Sequence, residues 1–585
     1  MFGKILEVNE DLVKIENIKS DSAINILNFH VVFEEEKRKI VGEIVGLTET
    51  VISILLVGEI IDNKFISGVL KKPNFKTQPR IIYKSEVELL IGKQDVSLDD
   101  TLYIGKSYIY DQYKVTTNTN DFLANHFAIV GNTGSGKSCG VARIIQNIFN
   151  FDNNVPKNAH LILFDVYGEY NSAFETFSKD PEINYKSYTT ALKFEKDNTV
   201  RVPAYFLEVD DLALLLNATD SYQIPILEKT LNLVLIFASE DPKVMEYKNS
   251  IIAASLLDIL SSGKTPVQVR DQIVAILSHY NTDKLNLNSI ISQPGYNRTL
   301  KQCLNIDSQG KMNAMGFVVD YLETYEKIDL GALKLDSNIV YTLSDLYYAL
   351  EFALISEGVL NSHPAYDRLN VLKVRLKALI ESSYSKYFEY PDFISKDDYV
   401  KAIFTKGDKR AQIVNMDFNF IDERFAKVLT KVFSKLFFNF VTRLDKRASY
   451  PIHIILEEAH RYVNNDKDNE VIGYNIFDRI TKEGRKYGVI LGFITQRPSE
   501  LSKTALSQCS NFIVYRMYHP EDIKIIADVT ANVSKENIEK IKTLSSGTAM
   551  VFGTAFKLPL ITKLDLPDPM PQSSSVDIVN KWYNE

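Results

Sequence analysis

The segment Gly131-Asn132-Thr133-Gly134-Ser135-Gly136-Lys137-Ser138 limits this chain more than any other feature. It fits G-x-x-x-x-G-K-[ST] in full, and its flanks suit it. The apolar run HFAIV precedes it, and CGVARIIQNIFN follows, with Val141, Ile144, Ile145 and Ile148 on one helical face. A strand that turns through glycines into an amphipathic helix gathers backbone N–H groups and a helix N-terminus around an anion. The whole loop, with Cys139 directly after it, is therefore the candidate phosphate-binding segment. Lys137 would reach the β- and γ-phosphates, and the Ser138 hydroxyl is placed for Mg²⁺. Such a loop commits this part of the chain to an α/β fold.

A phosphate cradle does not hydrolyse by itself; it needs carboxylates at the end of a nearby strand. HIILEEAH supplies them, with Glu457 and Glu458 following Ile452, Ile454, Ile455 and Leu456. Glu457 would orient Mg²⁺ through water, and Glu458 would activate the attacking water. GVILGFITQR ends in Gln496, a neutral amide suited to sensing the γ-phosphate. DRITKEGRKYG gathers Arg479, Lys482, Arg485 and Lys486 near a helix C-terminus, where the helix dipole alone favours cations. A sharper reading makes Arg485 an arginine finger for a nucleotide held by a neighbouring copy.

The chain has 585 residues, 45% hydrophobic and 24% charged, which suits several globular domains at about 150 residues each. Residues 1–110 read as a small β-barrel: short β-rich runs, from KILEVN to RIIYKSEVELL, divided by turn residues. The α/β core is expected over 111–175 and again over 406–566. Between them, 176–405 reads as a helical insertion, because apolar residues recur there at three- and four-residue intervals. GTAMVFG and FKLPLITKL predict a terminal hairpin, and 567–585 a linker-like tail.

The quoted motifs, together with FDVYGEY, KEGRKYGV and ITQRPSELSKTALSQCSNFIVYR, resemble the HerA branch of the HerA/FtsK superfamily of ring-shaped ATPases. The resemblance implies a RecA-like P-loop core hydrolysing ATP with Mg²⁺, behind an N-terminal barrel. Lys137 and Ser138 match the P-loop residues, Glu457 and Glu458 the second acidic motif, Gln496 the sensor and Arg485 the trans finger. Asp165 and Glu169 are carried over as site-lining residues, and Arg516 as a second candidate for contact across subunits. It also implies a homohexamer threading duplex DNA through a central pore. Its partner would be a nuclease such as NurA or, in anti-phage gene pairs, a nuclease or a sirtuin-like NAD hydrolase. The alternative is a nucleotide-stabilised ring scaffold that activates such a partner without translocating.

The formal net charge of −8 argues against a cationic exterior and confines any DNA contact to a pore lining. Cys139, Cys303 and Cys509 have neither disulfide nor zinc spacing, and no apolar run is long enough to span a bilayer. A reducing, cytoplasmic setting without membrane insertion is expected. The basic loops 408–412 and 443–451 could face a pore, but read more simply as solvated charge. The aromatic run 384–393 reads as packing. Cys139 reads as packing volume rather than a redox switch. His126, His160, His453 and His460 show no metal-ligand spacing and read as core or surface histidines.

Overall fold

A computed structural model describes residues 2–18, 25–96, 100–111, 113–149, 155–179, 182–193, 198–325, 339–358, 363–464, 473–530, 533–573 and 578–583. The expected tail thus lies outside the described residues at 574–577 and 584–585. The chain forms two compact units. One comprises Met1–Thr190, Val400–Asn465 and Asn475–Glu585; the other comprises Ala191–Tyr399 with a short later segment ending at Tyr474.

In the first unit, an eleven-stranded sheet carries the phosphate loop. Seven of its strands run parallel, in the order Tyr185–Thr189, Ile413–Asp417, Leu161–Asp165, Ile452–Leu456, Val489–Thr495, Phe127–Val130, Asn511–Tyr515. Thr548–Gly553, Leu560–Lys563, Thr101–Ser107 and Lys114–Asn118 then extend it antiparallel. The central strands are buried along their length, as their continuous apolar runs require of a sheet covered on both faces. The predicted terminal hairpin pairs Met550 with Ile561.

Three expectations change. Thr101–Ser107 pairs with the terminal hairpin, so the core sheet recruits residues on the N-terminal side of 110. Tyr185–Thr189 pairs with Ile413–Asp417 as an edge strand, so the sheet continues past 175 and the second unit begins at Ala191. Its polar sequence YKSYT hides it, because an edge strand buries little. RIIYKSEVELL is not one strand: Pro79–Ile81 pairs in a sheet, and Lys84–Ile91 is a helix. Val87, Leu90 and Ile91 are buried at helical spacing, and the Glu86 carboxylate caps the Tyr83 N–H at 2.9 Å.

The N-terminal strands form a separate antiparallel sheet whose path begins at Phe2–Val8 and ends at Pro79–Ile81; among the described residues these end strands do not pair. It carries an apolar cluster including Ile5, Val13, Val31, Phe33, Ile44 and Ile54. The second unit is mainly helical, with long helices at Gln223–Ala238, Pro242–Ser261, Pro266–His279 and Leu343–Gly358. A hairpin, Ile290–Gln293 with Tyr296–Thr299, adds to it. The aromatic run packs within this unit: Tyr387 and Phe388 are buried, and Phe393 stacks on Tyr205 at 6.0 Å. No helix among the described residues is long and apolar enough to cross a membrane.

Buried histidines link the first unit's stability to pH. His160 stacks on Tyr450 at 3.6 Å and donates from Nδ1 to the Pro451 carbonyl at 3.1 Å. Burial lowers its pKa to about 4, and that of His126 likewise. A depressed histidine pKa contributes stability that is complete above about pH 6.5 and is lost as the pH falls toward 4. Buried carboxyls with raised values act oppositely, so the histidine share is isolated by a variant. The stability advantage of the parent over His160→Gln, measured by urea unfolding, should shrink by up to about 1.4 kcal/mol per pH unit below pH 6.5. A constant difference from pH 7 to about 4.5 would contradict it.

Candidate active site

The phosphate-loop strand and the acidic-pair strand are not neighbours; Val489–Thr495 lies between them. The carboxyl ends of Leu161–Asp165, Ile452–Leu456, Val489–Thr495 and Phe127–Val130 therefore form one edge, where ligands of parallel α/β sheets bind.

The loop is held by backbone bonds. Asn132 N–H donates to the Arg516 carbonyl at 3.1 Å, and Gly547 N–H to the Ser135 carbonyl at 2.9 Å. Gly136 has φ 96°, and a Cβ there would lie 2.8 Å from the Gly547 nitrogen, so only glycine fits. Gly140, one turn into the helix Lys137–Phe149, has no room either: a Cβ would overlap the Tyr515 hydroxyl. Cys139 is half-buried beside the same tyrosine.

Lys137 is 7% exposed, and its Nζ has no hydrogen-bond partner among the described residues. Burial lowers its pKa, against the pull of Glu458, Glu457 and Glu169. A buried ammonium without a partner is costly unless an anion completes it. Its nearest countercharge is Glu458 Oε1 at 4.0 Å.

The two acids diverge. Glu457 turns toward the Leu161–Asp165 strand, where its Oε2 accepts the Val166 N–H at 3.0 Å. Glu458 turns toward the phosphate loop and Gln496, whose Nε2 donates to Oε1 at 2.5 Å. Glu458 has left-handed backbone, φ 46°, a conformation that costs a non-glycine residue energy and recurs at functional sites. Thr133 Oγ1 donates to Gln496 Oε1, so a phosphate-loop hydroxyl orients the amide that touches Glu458.

A second acidic group lies beside Glu457. Asp165 is fully buried and accepts from Glu169 N–H, Tyr170 N–H and the Asn415 amide at 3.0–3.2 Å. Glu169 lies close enough to Ser138 for that residue to favour its charged form. Burial raises the pKa values of Asp165, Glu169 and Glu457, and mutual repulsion pushes those of Glu169 and Glu457 further. Hard oxygen donors with surplus negative charge, next to the hydroxyl expected to meet Mg²⁺, fit such a cation. Lys137, with no hydrogen-bond partner among the described residues, fits a phosphate.

Arg485 is not brought to this edge. It is exposed in the last turn of the helix Ile476–Tyr487 and acts electrostatically on His126, at the opposite end of the phosphate-loop strand. Arg516 lies beside the loop, half-buried, with its guanidinium 5.2 Å from the Tyr518 ring centre and Nε unpartnered among the described residues.

Sequence reading missed three contributors. Thr133 stood among the loop residues without a role, Asn415 gave no motif signal, and His460 was read as background. Its Nδ1 lies 2.9 Å from Thr495 Oγ1 and 3.3 Å from Glu458 Oε2. Its place two residues after the acidic pair, in EEAH, was the available signal.

Residues 102–437 match the family DUF87, described as the helicase HerA central domain. The chain belongs to this HerA family. The DNA double-strand break repair helicase HerA of Pyrococcus furiosus is 24% identical over 529 residues, covering 89% of this chain and 79% of that one. A probable DNA double-strand break repair helicase HerA of Methanocaldococcus jannaschii is 23% identical over 483 residues, covering 83% and 80%. Among solved structures, VirB4 of Thermoanaerobacter pseudethanolicus is similar over 79% of this chain and 96% of that one, with TM-score 0.42 and 12% identity. The HerA match covers the phosphate loop and Asp165 and ends at 437, before the acidic pair. The relation to the Pyrococcus furiosus protein covers more of the chain.

Proposed function

We propose that the chain is an ATP-driven DNA translocase or helicase of HerA type. The observation that carries this is the buried Lys137 ammonium, without a hydrogen-bond partner among the described residues and 4.0 Å from Glu458, itself held by the Gln496 amide. A phosphate completes Lys137, Glu458 takes the proton of the attacking water, and Gln496 links Glu458 to Thr133 of the phosphate loop. Ser138, Glu457 and Glu169 would hold Mg²⁺, with Asp165 behind them; when bound, the ion neutralises charge on the β- and γ-phosphates.

In this reading the active form is a homohexamer, with ATP between subunits and duplex DNA in a central pore. The position of Arg485, at the far end of the sheet from its own phosphate loop, supports a role on a nucleotide bound by another copy. Arg516, whose backbone carbonyl holds the phosphate loop at Asn132, is the second candidate for contact across subunits. Six copies at −8 each leave an acidic exterior suited to a protein partner. A nuclease or sirtuin-like NAD hydrolase, in a cytoplasmic anti-phage pair, is the partner this reading names.

The test is ATP hydrolysis by the purified full chain with and without duplex DNA, alongside its mass in solution with nucleotide. Hydrolysis should rise several-fold with DNA, and the mass should match six copies. Hydrolysis indifferent to DNA, with a co-purifying partner gaining activity, would replace translocation by the scaffold reading.

A further inference from the structure

The two carboxylate oxygens of Glu458 meet different neighbours. Oε1 accepts the Gln496 amide. Oε2 accepts no hydrogen bond among the described residues although it is buried, and its near neighbour is His460 Nδ1 at 3.3 Å. The imidazole is anchored by Thr495, whose Oγ1 lies 2.9 Å from Nδ1 and also accepts the Arg497 N–H at 3.0 Å. The threonine oxygen keeps a second lone pair, so its hydroxyl can donate to Nδ1 or accept from it; with the ring proton on Nε2, the Nδ1 lone pair is open to Oε2 once that hydroxyl turns away. Thr495 and Gln496 thus approach Glu458 from the end of one strand, the first through His460 on Oε2 and the second directly on Oε1.

We propose that His460 is a positioning residue for Glu458 and receives the proton that Glu458 removes from the attacking water. This rests on the ATPase reading above. As the water oxygen bonds to the γ-phosphorus and the bridging P–O bond to the diphosphate breaks, one water proton moves to Glu458 Oε2. As the Thr495 hydroxyl turns its own proton away, this proton passes to the freed lone pair of His460 Nδ1, which restores the carboxylate and leaves an imidazolium donating to it. The imidazolium, with 15% of its side chain exposed, returns the proton to solvent. The arrangement suits a neutral resting state: burial lowers the His460 pKa, Glu458 and Glu500 pull it back up, and Arg461 and Lys137 press it down. These charges come from the turn carrying His460, from the segment after Gln496 and from the phosphate-loop helix.

The test compares steady-state ATP hydrolysis by the full-length parent, His460→Ala and His460→Asn from about pH 5.5 to 9. Binding of a fluorescent, non-hydrolysable ATP analogue and the thermal midpoint are measured alongside. His460→Ala should lower kcat about 10- to 100-fold with KM and analogue affinity within about threefold of the parent. His460→Asn keeps a hydrogen-bonding group near Thr495 but cannot ionise. It should recover part of the loss while lacking the acid limb that the parent shows below about pH 6.5. Parent-like kcat in both variants overturns the proposal. So do superimposable pH profiles in all three proteins, or analogue affinity that falls in step with kcat. A parent that hydrolyses no ATP overturns the function reading together with this one, whereas an active parent with unaffected variants overturns this one alone.

Discussion

Replacing Glu458 with glutamine is expected to reduce ATP turnover about 10²- to 10⁴-fold while leaving nucleotide binding intact. The amide is nearly isosteric, so its oxygen can still accept the Gln496 amide proton that now reaches Oε1. What disappears is the ability to take a proton. The negative charge 4.0 Å from Lys137 also disappears, which frees that ammonium for phosphate and should hold or tighten affinity for ATP. Phosphate release and equilibrium binding, measured on one preparation, separate the two effects. Turnover within about tenfold of the parent would remove Glu458 from the role of base.

Lys137→Ala should fail at the earlier step. The ammonium is buried beside Glu458, Glu457 and Glu169, and these carboxylates would repel an incoming triphosphate without it. Losing a buried charge-assisted contact costs on the order of 2–5 kcal/mol, or about 30- to several thousand-fold in affinity. Turnover falls with it. Because Nζ has no hydrogen-bond partner among the described residues, its loss should cost the nucleotide-free fold little. The thermal midpoint without ATP should stay within a few degrees of the parent, while the upward shift that ATP produces in the parent should vanish. An ATP-induced shift of parental size in Lys137→Ala would overturn the assignment of this residue to the phosphate.

Much of this site is legible in the sequence alone. The glycine-lysine-serine loop, the two acids after HIIL and the glutamine after GFIT each carry a local signature, an apolar buried strand ending abruptly in polar residues. Burial on both faces of a parallel sheet imposes that pattern, so reading it requires no knowledge of strand order. The edge strand Tyr185–Thr189 escaped because it has almost no apolar content to give it away. The helix Lys84–Ile91 escaped because its short apolar run also fits a strand, and only its burial at helical spacing and the Glu86 cap decide between them. His460 escaped because a histidine two residues after a glutamate has no fixed meaning until the partner strand is known.

The sequence by itself determined the chemistry of the phosphate loop and the kind of sheet that bears it, since both follow from residue type and spacing along one segment. Which acid serves which purpose was decided by the tertiary structure. Only with Leu161–Asp165 on one side of the acidic strand and Val489–Thr495 on the other does Glu457 meet Asp165 and Val166, and Glu458 meet Gln496, His460 and Lys137. Adjacent residues in one chain acquire different roles because strand order brings different neighbours to each, and strand order is set by packing across the whole sheet rather than by any local run of residues.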